Sequence, residues 1–248
     1  MNEGFFAELE RQTAFYFIRH GQSEGNIAGI LQGRLDYPLT AAGREQAAER
    51  GRSLQKMLAP AHTPRAGIAG GRTLFYASPL SRAAETAQII AAELLKPRPG
   101  AAGIDLPPPV FLEDLQELDL GSWTGKVLPE MPNADPELWR RFQARSWDAV
   151  PGAESAASLY DRATRVWTAL REGAKKSGAE TVIVITHHGI IQWMIKTTFG
   201  VRAWFPLIPI SNCGLSKLWV EPIPGQTNAH LAWEMINQEI NQEYYEKK

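Results

Sequence analysis

The chain has 248 residues, 44% of them apolar, which is enough for one sizeable core. Its 26 basic and 27 acidic residues leave a net charge of −1, which excludes a global field drawing the protein to nucleic acid or to an anionic membrane, so any phosphate must be recognised locally. Cys213, the single cysteine, has no partner for an internal disulfide, Met1 to Glu10 is acidic where a secretory leader is basic and apolar, and no charge-free apolar run reaches the ~18 residues of a membrane span; the expectation is a soluble, cytoplasmic protein.

Residues 1–13 read as a short helix or arm, with Phe5, Phe6 and Leu9 spaced to share one face. Residues 14–18 form a short apolar strand that runs into the polar, glycine-rich stretch Arg19-His20-Gly21-Gln22-Ser23-Glu24-Gly25-Asn26. A strand emptying into such a loop builds a site. A neutral imidazole attacks phosphorus, Arg19 and Asn26 suit phosphoryl oxygens, and Gly21 and Gly25 let backbone N–H groups come close. Thr40 is placed to cap a helix along which Ala47, Gly51, Leu54 and Leu58 recur as a core stripe. Residues 59–72 are rich in Pro, Gly and Ala and read as a surface loop.

Residues 73–77 form a second strand, ended by Ser78-Pro79 before a helix whose buried face is Ala83, Thr86, Ala87, Ile90 and Leu94. Arg82 thus falls in a first helical turn at a strand's carboxyl end, where open α/β sheets bind ligands and helix dipoles favour anions. Five prolines make residues 96–109 a loop. The stretch from 110 to 125 carries acidic residues at 113, 114, 117 and 119, and Trp123 offers Glu117 an apolar wall that would favour its neutral form. Residues 126–150 place Trp139, Arg140, Arg141, Phe142, Arg145 and Trp147 between prolines, a composition suited to a lid.

Pro151 to Ser155 opens a helix with Leu159, Ala163, Val166 and Leu170 in its apolar stripe. The continuous β-branched run 181–186 reads as a central parallel strand, and it ends at His187-His188-Gly189. Neighbours on a strand leave on opposite faces, so one of the two histidines reaches a common pocket with His20, and the adjacent pair makes a poor metal site. Residues 190–199 form a buried helix, 200–214 an irregular loop bringing Asn212 toward the site, and 215–220 and 229–233 edge strands before a charged tail.

Five blocks in this order carry a family resemblance. Arg19, His20, Gly21, Ser23 and Asn26 fit R-H-G-x-[ST]-x-x-N, while Gln32, Gly33, Asp36, Pro38, Leu39, Thr40, Gly43, Gln46 and Ala47 fit Q-G-x-x-D-x-P-L-T-x-x-G-x-x-Q-A. Residues 78–87 fit S-P-L-x-R-A-x-x-T-A, residues 115–125 fit L-x-E-x-D-x-G-x-W-x-G, and 182–189 is similar to a strand ending in a second histidine. The whole resembles the histidine phosphatase superfamily, also called phosphoglycerate mutase-like, in the wording of its phosphatase branch.

The resemblance implies a single domain over 1–248 of α/β class, a three-layer sandwich with a mostly parallel central sheet, helices on both faces and the lid-like insertion at about 126–150. It implies a phosphohydrolase that needs no metal and no cofactor and takes a small phosphorylated substrate. His20 is then the nucleophile and Glu117 the acid and base. His187, as a cation, joins Arg19, Asn26 and Arg82 on the phosphoryl oxygens. Ser23, Gln32, Gly33, Arg140, Arg141 and His188 surround the substrate. Three alternatives stand beside it: a phosphoglycerate-type mutase, a non-catalytic phosphoprotein-binding module on the same fold, and a serine hydrolase using Ser23 in Gly21-Gln22-Ser23-Glu24-Gly25.

Overall fold

The computed structural model describes residues 4–58, 71–97 and 104–240. Most of the expected loop 59–72, the middle of 96–109 and the end of the tail lie outside them. In chain order the elements are β1 (Thr13–Arg19), α1 (Glu24–Ile27), α2 (Ala41–Met57), β2 (Thr73–Ala77), α3 (Ser81–Leu94), β3 (Val110–Phe111), α4 (Met131–Ala134), α5 (Pro136–Arg145), α6 (Ala156–Ser177), β4 (Thr181–Thr186), α7 (His188–Thr198), β5 (Leu215–Pro222) and β6 (Ala229–Gln238).

The six strands form one sheet in the order β3-β2-β4-β1-β5-β6. The first four run parallel, and β5 and β6 are antiparallel to their neighbours. Strand alternation sorts the core into two halves. Phe15, Phe17, Val182 and Val184 meet Leu159, Ala163, Val166 and Leu170 of α6 and the apolar run of α7 on one face. Ala14, Tyr16, Ile18, Ile183 and Ile185 meet Leu54 and Leu58 at the end of α2 and Ala83, Ala87, Ile90 and Leu94 of α3 on the other. Every residue of β4 is buried, as a central strand covered on both faces requires. This is the three-layer α/β sandwich.

The helix starts follow local chemistry. Thr40 accepts from the Gly43 N–H and Ser155 from the Ser158 N–H, so each cap satisfies one of the orphan donors of a first turn, worth about 1 kcal/mol. Trp167 anchors the α6 side: its ring meets Phe6, Phe15 and Phe17 edge-on at 5.2, 5.4 and 5.1 Å, and its N–H donates to the Met194 carbonyl. The expected short N-terminal helix or arm is a set of turns over residues 4–8, and Phe6 and Leu9 are buried on this cluster as their spacing suggested. Residues 121–150 differ more. They build a separate small core of Trp123, Met131, Leu138 and Val150, with Trp139, Phe142 and Trp147 packed around it.

Candidate active site

Backbone pairing alone brings three side chains to one sheet edge. Arg19 lies opposite Thr186 in the β1–β4 ladder and Ala77 opposite Ile185 in the β2–β4 ladder. The residues that follow, His20, His187 and Ser78, therefore emerge side by side at the carboxyl ends of β1, β4 and β2. The ladder closes with the His20 N–H donating to the Thr186 carbonyl at 2.9 Å. The imidazole centroids of His20 and His187 are 5.1 Å apart, and His187 Nε2 lies 2.8 Å from Ser78 Oγ.

His20 is buried, and its Nδ1 lies 2.7 Å from its neighbour Gly21's carbonyl, which only an N–H can satisfy. Nε2 then carries the lone pair and accepts from Arg82 Nε at 3.3 Å. Burial, followed by the Arg19 and Arg82 charges, holds the His20 pKa well below its ordinary value, so the ring is neutral. His187 is held down in the same way, first by burial, then by Arg82 and His20. The same surroundings disfavour the expected cationic form of His187, and its Nδ1 is buried without a hydrogen-bond partner among the described residues.

Both arginines are aimed by backbone carbonyls. Arg82 donates Nη1 to Leu35 and Nη2 to Gly33 at 2.7 and 2.8 Å, so its guanidinium plane is fixed with one edge on His20. Arg19 donates Nη1 to Ile210 at 2.6 Å and keeps a buried Nε without a partner. The Asn26 Oδ1 accepts from the Ser23 N–H and from Asn212 Nδ2 at 3.0 and 3.2 Å. Asn212 also donates to the His20 carbonyl at 3.1 Å, and the Cys213 N–H reaches the Arg19 and His20 carbonyls at 3.1 and 3.2 Å.

Ser23 is fully buried as the N-cap of α1, with its Oγ 3.0 Å from both Asn26 Oδ1 and Gln32 Oε1. Those bonds tie the first and second motifs together and commit the hydroxyl to Asn26 and Gln32, while His20 Nδ1 and Nε2 are spent on Gly21 and Arg82 and His187 Nε2 on Ser78. The glycines serve packing. The Gly21 N–H is donated to Thr86 Oγ1 at 3.1 Å, and a Cβ on Gly21 would strike the Gly43 carbonyl; one on Gly25 would strike Gln32. The expected free N–H at Gly21 is therefore spoken for.

Glu117 is held at the start of α7. Its Oε1 accepts from the Leu118 and Gly189 N–H groups at 2.9 and 3.0 Å, which places a carboxylate on a helix N-terminus. Trp123 is not its wall, because that ring packs against Trp139, Phe142 and Trp147 instead. His188 Nε2 lies 3.0 Å from the Ile208 carbonyl, and burial with the nearby Arg19 charge lowers its pKa. Arg140 and Arg141 are exposed on α5. The segment carrying them is joined to the second motif where Leu31 and Lys126 and then Gly29 and Leu128 exchange backbone bonds of 2.8 and 3.1 Å.

The arrangement is a buried imidazole, disfavoured as a cation, between two guanidinium groups, a second imidazole and a carboxylate. A profile of the histidine phosphatase superfamily (branch 1) covers residues 15–230, and the chain belongs to that superfamily. Phosphoglycerate mutase-like protein 4 of Arabidopsis thaliana is 35% identical over 182 residues, 71% of this chain and 66% of that protein, just under two thirds of its length. Among solved structures, Mycobacterial hydrolase 2 superposes with a TM-score of 0.73 at 20% identity over 96% of both chains. A mycobacterial glucosyl-3-phosphoglycerate phosphatase superposes at 0.68 with 21% identity over 92% of this chain and 99% of its own. These likenesses are of fold.

Proposed function

We propose that the protein is a phosphohydrolase that cleaves small phosphomonoesters through a phosphohistidine on His20, without a metal. The observation that carries this reading is the tautomer of His20: Nδ1–H is committed to the Gly21 carbonyl, so Nε2 presents its lone pair beside Arg82. In the first step Nε2 bonds to phosphorus and the ester P–O bond breaks, with the proton of Glu117 passing to the departing oxygen. Positive charge that develops on the ring is met by the Nδ1–H bond to Gly21. Arg19, Arg82, the amide of Asn26 and His187 stabilise the equatorial oxygens, and such preorganised donors commonly supply most of the acceleration. In the second step Glu117 takes a proton from water, oxygen attacks phosphorus, and the P–N bond breaks to return neutral His20 and phosphate.

Rapid quench with radiolabelled phosphomonoester should leave an acid-labile, base-stable phosphate on His20, and neither chelator nor His20-sparing Ser23→Ala should abolish it. Label on Ser23 would reverse the assignment. Loss of turnover in EDTA with recovery on adding a divalent cation would overturn the metal-free account. Passage of the label to a phosphoglycerate acceptor in preference to water would make the protein a mutase.

A further inference from the structure

The general acid of this reaction sits on a non-repetitive stretch, and something other than a helix or strand must fix it. Residues 112–123 pass through short turns, tied to the rest of the fold at Leu112, whose N–H donates to the Ala77 carbonyl, and at the isolated Leu120–Ala153 bridge; between those points the position of the Glu117 Cα depends on side chains that grip the backbone around it. One buried ion pair grips it from both sides. Arg162 of α6 donates Nη1 to the carbonyls of Asp114 and Gln116 at 3.0 and 2.6 Å, just before the acid. The same guanidinium binds Glu154 bidentately, Nε to Oε1 at 2.8 Å and Nη2 to Oε2 at 2.7 Å. Glu154 in turn holds the chain just after the acid: its N–H donates to the Asp119 carbonyl at 2.9 Å, and its Oε2 lies 3.4 Å from the Asp119 N–H.

The pair is buried, at 4% and 10% side-chain exposure. Arg162 spends four N–H groups here, two on the carboxylate and two on the carbonyls. A planar, always charged fork suits that task, whereas a lysine ammonium offers a point charge on a flexible stem. Arg34 extends the network from the loop that holds Arg82, with Nε 3.4 Å from the Glu117 carbonyl and Nη2 3.7 Å from Glu154. Neither Arg162 nor Glu154 bonds to His20, Arg19, Arg82 or His187.

We propose that Arg162 and Glu154 are positioning residues for the proton-transfer step: they set where the Glu117 carboxyl stands relative to the leaving oxygen and leave the phosphoryl pocket alone. The proposal rests on the acid role of Glu117 given above. Misplacing a reacting group by about 1 Å costs on the order of 100-fold, and in the step that forms the phosphohistidine only substrates that need the proton feel it.

The experiment measures kcat/KM, which reports formation of the phosphohistidine and not its hydrolysis, on butyl phosphate, whose alkoxide must be protonated, and on para-nitrophenyl phosphate, whose phenolate need not be. Arg162→Lys and Glu154→Gln, each checked for native far-UV dichroism, should lower kcat/KM on butyl phosphate by about 10- to 100-fold. On the nitrophenyl ester they should change it less than about threefold. Adding either change to Glu117→Gln should cause no further loss on butyl phosphate, because residues acting as one unit are non-additive. Should Arg162→Lys fail to fold, Glu154→Gln carries the measurement, since it keeps the size and the acceptor for Asp119. Equal losses on both esters, or none on either, would make the pair structural and overturn the proposal. Glu117→Gln alone reports separately on the acid: if it shows no preference between esters, the acid assignment falls, and if it does while the pair's variants do not, only the positioning role falls.

Discussion

Arg82 Nε points at His20 Nε2 across 3.3 Å, so the imidazole nitrogen not committed to the Gly21 carbonyl is hydrogen-bonded to a buried guanidinium. Burial, followed by the Arg19 and Arg82 charges, disfavours protonation of the ring.

The pH dependence of stability follows from this. His20 and His187 are uncharged in the folded protein, with pKa values well below their ordinary value, while in the unfolded chain they titrate near about 6.5. Below that pH the unfolded state binds more protons. The contribution is therefore complete above about 6.5 and is lost as pH falls toward the folded values. The urea midpoint should hold steady from pH 7 to 8 and fall between pH 6.5 and 5, and it should fall less steeply in a His20→Asn, His187→Asn double variant. An unchanged slope in that variant would show that other groups carry the dependence.

His187 should matter far more than His188. The former shares the pocket with His20 and Ser78, whereas the latter ties its ring to the Ile208 carbonyl. His187→Ala should lower kcat by about 100-fold. His188→Ala or His188→Gly should change it less than about tenfold, the loss coming from a looser 208–210 segment, which holds Arg19 through the Ile210 carbonyl. The reverse ranking on folded protein would misplace the register by one residue.

Gly189 should tolerate no side chain. A Cβ there would fall inside the contact distance of both Glu117 Oε1 and Leu118 Cδ2. Gly189→Ala should push the carboxylate off the α7 N-terminus and lower kcat on alkyl phosphates more than on nitrophenyl phosphate. Equal activity on both esters, at wild-type level, would mean that the carboxylate works from another position.

The arginines of α5 should govern choice of substrate and leave the chemistry alone, since Arg140 and Arg141 are exposed on a segment with its own small core. Arg141→Ala should raise KM for esters with a second anionic group and barely alter nitrophenyl phosphate turnover. Unchanged kinetics on every doubly charged ester would return both arginines to the solvated surface.

Periodicity made the sandwich legible, because stripes such as Leu159, Ala163, Val166 and Leu170 or the run 181–186 state their face and their burial in residue types alone. The strand ends were legible for the same reason: His20 and His187 are the residues at which an apolar run stops. What stayed hidden depends on contacts between distant backbone atoms. Nothing in the types of Gly33, Leu35 or Ile210 says that their carbonyls aim the arginines, and Ser78 gives no sign that it meets an imidazole. Trp123 is near Glu117 in sequence, but its ring has its partners elsewhere. Its ring lies in the core of residues 121–150, and the groups that touch the Glu117 carboxylate are backbone N–H donors that a sequence never displays. Buried arginines such as Arg50 and Arg162 look like any surface cation until their partners are known.

The one thiol of the chain stands behind His20. The Cys213 N–H bridges the Arg19 and His20 carbonyls, its side chain is fully buried, and burial pushes its pKa up to about 12. A thiol with almost no thiolate and no access to reagent is inert to alkylation and to mild oxidants while the protein is closed. Alkylation must wait for the Cys213 side chain to be uncovered, so its rate counts openings around the segment whose backbone is bonded to the Arg19 and His20 carbonyls. The protein thus carries an intrinsic clock beside His20: iodoacetamide incorporation, followed over denaturant concentration, distinguishes a segment that opens by itself from one that opens only when the whole sheet unfolds.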